Sequence, residues 1–525
     1  MKLKIAKTVA ALLLAQNSLS ANEKTLLSDV TVSTASGYEQ SIKDAPATIT
    51  VITKEDLLEN RYTSLAHALD GVEGIDIGTS GGDKTGGRNI SMRGLGSDYT
   101  LVLIDGKRQN TTGSTTPNGF GSTSTSFMPP LSSIERIEVI KGPMSTLYGS
   151  DAMGGVINII TKKVSNEWTG SITVDSTFQE NRDFGDSRGG SLYLSGPVVK
   201  DLLGLQLRGS LLKRDTSDLE PTGDSGSENF TRGDNPVKST IENLGARLSL
   251  TPHDDHDLYV DFDTTKQKYD NSDNILGNGA SAGYDKELQF NKEQLSLSHE
   301  GRFSFATLET SLTETTTEKK GRLVVGTGTQ KDGTPRQIEN TNLVLDTKAV
   351  IPFENSKLSI GGQYIDAVMK EGIATEDFEQ QTKSIFAENE WMMTDELALT
   401  VGARYDNHSA FGGNTSPRAY LVYNANENWV FKGGVSTGYK TPSLNDLHDG
   451  LTGLTGQGTR PTIGSPELEP EKSISKEIGA YYDSQEGITF NVILFQNDFK
   501  DKISDGDALS NCEYSLNPNQ AGCYS

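Results

Sequence analysis

From about residue 165 onwards, the sequence repeats short runs in which apolar and polar residues alternate. The clearest run places Leu397, Leu399 and Val401 on one face of an extended chain. Similar runs lie at 203–211, 258–263 and 488–495. One apolar face over about ten residues is typical of a membrane-spanning strand, although a soluble sandwich with that face in its core gives the same alternation. In a barrel, polar segments such as 215–238 and 326–339 would be extracellular loops.

The number of such runs favours the barrel, and so does the N-terminus, because it predicts export. Lys2, Lys4 and Lys7 precede a short apolar run at 9–15, and small residues precede a cleavage point after Ser20. We therefore interpret residues 1–20 as a signal peptide. The apolar run is shorter than the roughly 20 residues that span a bilayer, and no later segment approaches that length. If the exported chain crosses a membrane, it must do so as a β-barrel.

Charge and cysteine content narrow the possibilities further. The 525 residues carry a formal net charge of -23, so we predict no nucleic-acid partner, because phosphate binding needs a basic surface. The only cysteines are Cys512 and Cys523. In an exported chain this close pair predicts a disulfide-closed loop, with two free thiols as the alternative. Two sulfurs are too few for a zinc site, and we predict no metal site.

The region before the alternating runs has a mixed pattern of short strands and helices. Residues 41–164 combine short strand runs with helical pieces, including a helix at 53–60 with Thr53 as its N-cap and Asp56 three residues later. A strand at 101–107 enters a turn at Asp105 and Gly106. Two further strand runs flank a glycine-rich turn within 134–163. We predict an α+β domain at 41–164, preceded by a separate segment at 21–40.

The details of these segments resemble one family. The letters IERIEVIKGPMSTLYGSDAMGGVINIITKK at 134–163 resemble the end of the plug domain of TonB-dependent outer-membrane receptors. NISMRG at 89–94, LVLIDGKR at 101–108 and MPP at 128–130 resemble other plug motifs. FAENEW at 386–391, GYKTPSL at 438–444 and SPELEPEKS at 465–473 resemble the barrel of the catecholate-siderophore group, which includes ferric enterobactin and colicin receptors.

The resemblance implies a fold and a place in the cell. The family folds as an outer-membrane β-barrel of about 22 strands with an N-terminal α+β plug inside its lumen. The barrel here is 165–525, and we expect it to be incomplete at its C-terminus, because the family ends in a strand with a terminal aromatic residue whereas AGCYS at 521–525 reads as a loop.

The resemblance also implies active import of a ferric siderophore, with iron as cargo, no resident cofactor and no enzymatic activity. TonB and its inner-membrane complex would supply the energy by pairing with a short segment called the TonB box. DVTVSTA, just after the signal peptide, resembles this box. Its residues are Asp29, Val30, Thr31, Val32, Ser33, Thr34 and Ala35. We expect it to be extended, with open backbone donors and acceptors.

Two further groups of residues follow from the resemblance and from side-chain chemistry. Plug arginines would form an ionic latch with lumen-facing wall glutamates, because a charge facing lipid is costly. The latch residues are Arg93, Arg136, Glu388, Glu390 and Glu477. An anionic aromatic ligand would select cations and aromatic rings. The candidates are Lys84, Arg88, Arg108, Phe120 and Phe127 in the plug and Tyr269, Tyr284, Lys319, Lys320 and Arg322 in the barrel.

Several alternatives stay open. The ligand could be haem, cobalamin or another metal complex, although only His253 and His256 lie close together among the six histidines. Colicins or phage could use the same receptor. A passive porin is disfavoured by the plug. An envelope enzyme is disfavoured because we identify no Gly-x-Ser-x-Gly elbow and no metal-ligand cluster. A signalling receptor is disfavoured by the short segment before the plug.

Overall fold

The computed structural model describes most of the chain beyond the predicted signal peptide. The described residues are 30–60, 62, 64–78, 85, 88–110, 112–113, 128–218, 236–276, 283–324, 333–374, 376–455, 460–504 and 506–507. Residues 1–20, Asp29, and the predicted disulfide between Cys512 and Cys523 lie outside them. Within these ranges, no helix combines the length and the apolar character that crossing a bilayer requires.

The N-terminal part of the described chain forms a small α+β domain, which we call the plug. Its strands are β1 (Thr31–Val32), β2 (Gln40–Ser41), β3 (Thr48–Thr53), β4 (Ile75–Gly78), β5 (Asn89–Met92), β6 (Thr100–Ile104), β7 (Lys107–Arg108), β8 (Ile134–Lys141) and β9 (Gly155–Thr161). Its helices are α1 (Lys54–Asn60), α2 (Leu65–Leu69) and α3 (Ser145–Tyr148). The central sheet has the order β3-β8-β9-β6-β7, in which only β6 and β9 are parallel neighbours.

Apolar residues cover both faces of the plug sheet. Ile137 of β8 packs with Leu57 of α1 and Leu65 of α2 in one cluster. Val156 of β9 packs with Leu147 of α3 in a second cluster. The predicted start of α1 is confirmed. The backbone N–H of residue 53 donates to the Asp56 carboxylate at 3.0 Å, and the N–H of Asp56 donates to the hydroxyl of residue 53 at 3.3 Å.

The C-terminal part of the described chain forms one large antiparallel sheet, which we call the wall. Its strands are β10 (Thr169–Thr177), β11 (Ser187–Val199), β12 (Leu203–Arg214), β13 (Ser239–His253), β14 (His256–Asp270), β15 (Tyr284–Phe303), β16 (Ala306–Leu323), β17 (Pro335–Pro352), β18 (Ser356–Glu371), β19 (Phe378–Met392), β20 (Leu397–His408), β21 (Gly412–Asn424), β22 (Trp429–Lys440), β25 (Glu471–Asp483) and β26 (Thr489–Lys500). A separate hairpin, β23 (Leu451–Thr455) and β24 (Arg460–Ile463), lies between β22 and β25.

The fifteen strands follow one another in sequence order, so each is hydrogen-bonded to its chain neighbours across hairpins. Within the described residues, β10 and β26 are the two edges of this sheet and do not pair with each other. The plug lies against the inner face of the sheet, where α3 contacts β19 to β22.

The alternation of apolar and polar residues in the sequence gives the wall an apolar outer face and a polar inner face. Leu297 and Leu345 are 49% and 41% exposed, so the apolar face turns outward and does not line a soluble core. The opposite face carries polar side chains such as Thr400 and Asp406, which are buried against the plug side. An apolar exterior with a polar interior is the pattern of a membrane barrel. The prediction of a barrel, as opposed to a soluble sandwich, is therefore confirmed.

Candidate functional site between plug and wall

One predicted plug–wall pair meets in the structure. The Arg93 guanidinium donates to a carboxylate oxygen of Glu477 in β25 at 2.7 Å. It also lies 4.4 Å above the ring of Phe495 in β26. The second oxygen of Glu477 accepts from the hydroxyls of Thr48 and Tyr420. Both carboxylate oxygens are thus occupied, and Glu477 joins the plug to two wall strands, its own β25 and, through Tyr420, β21.

The other predicted latch residues have different partners. Arg136 pairs at 2.8 Å with Glu138, which is two positions along β8 and therefore on the same face of the strand. Glu388 of β19 pairs at 3.4 Å with Arg418 of β21, so this contact lies within the wall. Glu390 is buried on the same face as Glu388. Of the described ion pairs, Arg93–Glu477 alone joins two of the predicted latch residues.

The segment that resembles the TonB box is folded against the plug. β1 pairs with β2, and Val32 and Ala35 are fully buried. The backbone N–H groups of Ser33 and Thr34 donate to the carboxylate of Glu138 at 3.0 and 2.9 Å, and the Thr34 hydroxyl donates to it at 2.6 Å. The expectation of open backbone donors is therefore wrong for this part of the segment. A buried carboxylate attracts backbone donors more strongly than water can.

Three wall cations hold the chain that follows, and we call them the clasp: Lys348 of β17, Arg418 of β21 and Lys432 of β22. Lys348 donates to the carbonyl of residue 37, and Arg418 donates to the carbonyls of residues 35 and 46. Lys432 donates to the carbonyls of residues 42 and 45, both at 2.8 Å. Sequence reasoning missed the clasp. The sequence shows only that each clasp residue is a cation on the inward face of an alternating strand. That pattern does not identify the backbone carbonyl that the cation binds.

A second ionic network, the turn network, fixes the plug on another side. Arg247 of β13 donates to Asp105 at 2.5 Å and to Asp261 of β14 at 2.6 Å, and Lys107 reaches Asp261 at 3.0 Å. Burial tends to raise the pKa of Asp105, but Arg247 and Lys107 outweigh it and hold that pKa at about 2. Asp105 and Gly106 both have positive φ angles, 49° and 76°, so the tight turn itself presents this carboxylate to the wall.

Farther along β16 and β17 lies a group of buried cations that we call the cation cluster: Lys319, Arg322 and Arg336, which are 0%, 2% and 5% exposed. Arg336 makes two 2.6 Å bonds to Glu371 of β18. The guanidinium of Arg322 lies 3.8 Å from the ring centre of Tyr284. Glu371 pairs with Arg336, and among the described residues Arg322 has no carboxylate partner. Within the described residues, Nε and Nη1 of Arg322 lack a hydrogen-bond partner.

The remaining ligand candidates are placed elsewhere. Arg108 is used within the plug, where it bonds Asp151 at 2.6 Å and the carbonyls of residues 148 and 150. Lys320 lies on the outward face of β16 and pairs with Glu318 at 2.7 Å. Arg88 is exposed beside β5. Tyr269 is buried edge-on against Phe290, next to the cation cluster. Lys84, Phe120 and Phe127 lie outside the described residues.

The Gly-x-Ser-x-Gly letters of hydrolases occur at 78–82, 185–189, 279–283 and 434–438. A hydrolase places this serine on a sharp turn between a strand and a helix. Here Ser187 opens β11 and Ser436 lies within β22, so both are in extended strands. Ser80 and Ser281 lie outside the described residues.

Comparison with known proteins agrees with the two-part architecture. The TonB-dependent Receptor Plug Domain matches residues 41–156, and the TonB dependent receptor-like β-barrel matches residues 166–520. The iron-regulated outer membrane virulence protein of Vibrio cholerae is 35% identical over 96% of this chain and 73% of its own length. The ferrienterobactin receptor of Escherichia coli is 27% identical over 89% of this chain and 70% of its own.

A solved structure gives the same result. The siderophore receptor PirA of Acinetobacter baumannii superposes with a TM-score of 0.73 at 25% identity, covering 86% of this chain and 71% of that one. The matched barrel region alone is well over half of the 525 residues. Its apolar exterior, polar interior and wall-bound plug are what the family requires. This chain therefore belongs to the TonB-dependent receptors of the outer membrane.

Proposed function

We propose that this receptor imports a ferric siderophore of the catecholate class, driven by TonB. The observation that carries the proposal is the cation cluster on β16 and β17. Lys319, Arg322 and Arg336 are buried together, and Glu371 pairs with Arg336, so Arg322 is left without a carboxylate partner among the described residues. Burying unbalanced charge is costly, so an excess of buried cations is explained best by an anion that binds there.

The rings beside the cluster favour an aromatic anion. Tyr284 stacks on Arg322, and Phe290 lies 5.6 Å from the ammonium of Lys319. A ferric tris-catecholate presents both negative charge and aromatic faces, so cations and rings can bind it together. Relatives support this class, because their names specify iron regulation in Vibrio cholerae and ferric enterobactin in Escherichia coli.

TonB is the proposed partner because the segment that resembles the TonB box directly precedes the plug. Strand addition by TonB needs free backbone donors, whereas Ser33 and Thr34 give theirs to Glu138. TonB binding must therefore compete with this carboxylate. Import follows when TonB draws the segment away from the clasp and loosens the plug.

The decisive experiment compares two neighbouring cations on one strand. Arg322→Ala is expected to weaken binding of ferric enterobactin by about tenfold, or about 1.4 kcal/mol, because it removes an inward-facing charge. Lys320→Ala is the control, because Lys320 faces outward and pairs with Glu318. Binding is measured by fluorescence quenching, and uptake by growth under iron limitation in a host without its own siderophore receptors.

The proposal fails in two ways. If no catecholate siderophore supports growth, the ligand class is wrong, and haem, cobalamin and other metal complexes are then tested in the same host. If Arg322→Ala and Lys320→Ala bind ferric enterobactin equally well, the cation cluster is not the recognition site.

A further inference from the structure

The inward faces of β16 and β17 carry three features in line. The cation cluster lies at one end of this strand pair, at Lys319 and Arg336. Six residues below Arg336, Asn342 meets the plug. Six residues below that, Lys348 lines a cavity. At about 3.3 Å per residue, each step is roughly 20 Å, so the three features lie along about 40 Å of the strand.

The middle feature is a narrow contact between plug and wall. The Thr112 hydroxyl donates to Asn342 at 2.6 Å, and the side-chain amide of Asn340 lies 3.4 Å from the same hydroxyl. The plug backbone passes very close here, because a Cβ added to Gly113 would lie 2.5 Å from the sulfur of Met369. All of these groups are neutral.

The lower feature is a cavity of about 340 Å³ between plug and wall. Leu103 and Tyr148 line its plug side, and Ser311, Asp346 and Lys348 line its wall side. A void of this size is far larger than the voids of close-packed interiors, which rarely exceed one water molecule. Its lining is mixed: Leu103 and Phe386 are apolar, whereas Asp346, Lys348 and the Asp105–Arg247 pair of the turn network carry charge.

Two contacts on other strands are ionic. Arg93 binds Glu477 on β25, and Asp105 binds Arg247 on β13, both through charged hydrogen bonds. Charged hydrogen bonds are stronger than neutral ones such as Thr112 to Asn342. Along β17 the plug is held by this neutral contact and by the donation from Lys348 to the carbonyl of residue 37, so the Thr112–Asn342 contact is easier to break than either ionic contact.

We propose that the ligand leaves the cation cluster along the inward faces of β16 and β17, passes the Thr112–Asn342 contact when the plug loosens, and enters the periplasm through the cavity. This path rests on the proposed function, since it begins at the proposed recognition site. The plug stays attached at the turn network during passage.

Two engineered disulfides test the path. Thr112→Cys with Asn342→Cys closes the proposed constriction, because the replaced oxygens are 2.6 Å apart. Ser150→Cys with Thr441→Cys is the matched control, because these hydroxyls are 3.2 Å apart and also join plug to wall, but beyond the end of β22. Cys512 and Cys523 are replaced by Ser in both variants.

The measurements are binding and energised uptake of enterobactin loaded with radioactive iron, with and without reductant. We expect the Thr112–Asn342 crosslink to lower uptake by about tenfold or more, with recovery on reduction, while binding stays unchanged. The Ser150–Thr441 crosslink is expected to leave uptake within about twofold of the uncrosslinked receptor.

Each other outcome overturns the path. Uptake through the closed Thr112–Asn342 crosslink shows that the ligand passes elsewhere, and a block by both crosslinks shows that the whole plug must move. Loss of binding before any crosslink forms is a failure of the proposed function, and it is distinguished by the binding measurement.

Discussion

At the scale of single residues, the plug is held by a few carboxylates that each serve several donors. Glu477 accepts from Arg93, Thr48 and Tyr420, so it joins a plug strand, a plug turn and two wall strands. Such a carboxylate is worth more than an isolated surface pair, because its donors are all removed from water.

Replacing Glu477 by Gln is expected to loosen the plug. The substitution leaves Arg93 buried without its counter-ion, and loss of one partner of a buried pair costs about 3–5 kcal/mol. Urea unfolding of the purified receptor in detergent, followed through plug fluorescence labels, measures the loss. Glu467→Gln, in an exposed loop, is the control. Equal midpoints for the two variants would contradict the assignment.

Asp105 predicts a dependence of plug stability on pH. Its folded pKa of about 2 lies below the usual value of about 3.9. A lowered folded pKa contributes stability that is fully present above the unfolded pKa and is lost as pH falls through the folded one. The contribution is about 2–3 kcal/mol near neutral pH.

Asp105→Asn is therefore expected to be less stable than the natural receptor at pH 7, with the difference shrinking between about pH 4 and pH 2. Urea midpoints across this range provide the measurement. A constant difference at every pH would show that the carboxylate acts through shape and not through charge.

Residue roles were predictable only where a motif fixed both partners. Arg93 lies in a plug motif and Glu477 in a wall region that the resemblance implies, and the structure brings these two residues together. The clasp could not be predicted, because Lys348, Arg418 and Lys432 bind backbone carbonyls, and carbonyls carry no sequence signal. For Arg136 the predicted wall partner is wrong, because the residue pairs with Glu138, two positions along its own strand.

At the scale of elements, the alternation of apolar and polar residues predicted the wall strands well. An exception to the alternation lies at the cation cluster. Lys319 and Arg322 are three residues apart, so a regular strand would place them on opposite faces. The register between β16 and β17 shifts between these two residues, and both become buried. A bulge of this kind cannot be read from alternation, because it is the defect in the pattern.

The clasp predicts how firmly the first plug segment is held. Lys432→Met removes the donor that binds the carbonyls of residues 42 and 45, so the neighbouring Lys43 is expected to become a faster site of trypsin cleavage. Lys476→Met is the control, because Lys476 lies on β25 and is more than half exposed. Mass spectrometry of timed digests locates the cut. An unchanged rate at Lys43 would mean that β1 and β2 alone hold the segment.

The box segment predicts a separation of binding from uptake. Val32→Pro removes a backbone N–H from a strand segment, so strand addition by TonB is expected to fail, and uptake with it, while ferric enterobactin still binds at the cell surface. Pull-down with the purified periplasmic domain of TonB measures the contact directly. Persistent uptake would show that TonB binds elsewhere on the chain.

At the scale of the whole molecule, the sequence predicted the architecture better than it predicted the contacts between its parts. Strand alternation and the plug motifs fix two domains, because they reflect local geometry. The side of the plug that faces a given strand depends on contacts such as Arg247 to Asp105, which are far apart in sequence. The cation cluster likewise needs β15 to β18 to be assembled before its charges meet.

Energy coupling gives a prediction for the receptor in the cell. Collapse of the proton gradient across the inner membrane is expected to stop uptake of ferric enterobactin within minutes and to leave surface binding intact, because the outer membrane holds no energy source of its own. Radioactive iron counts on washed and ligand-chased cells separate the two. Continued uptake would indicate a passive pore.

The bond between Glu138 and the box segment also has a mechanical consequence. Its donors, at Ser33 and Thr34, lie one after another along the chain. A pull applied from the N-terminal side breaks these hydrogen bonds one after another. A pull along the strand axis would instead load both hydrogen bonds at the same time. The pull from the N-terminal side needs only the force that breaks one bond at a time. A weak motor can therefore open a firmly closed plug, provided that it pulls over a long enough distance.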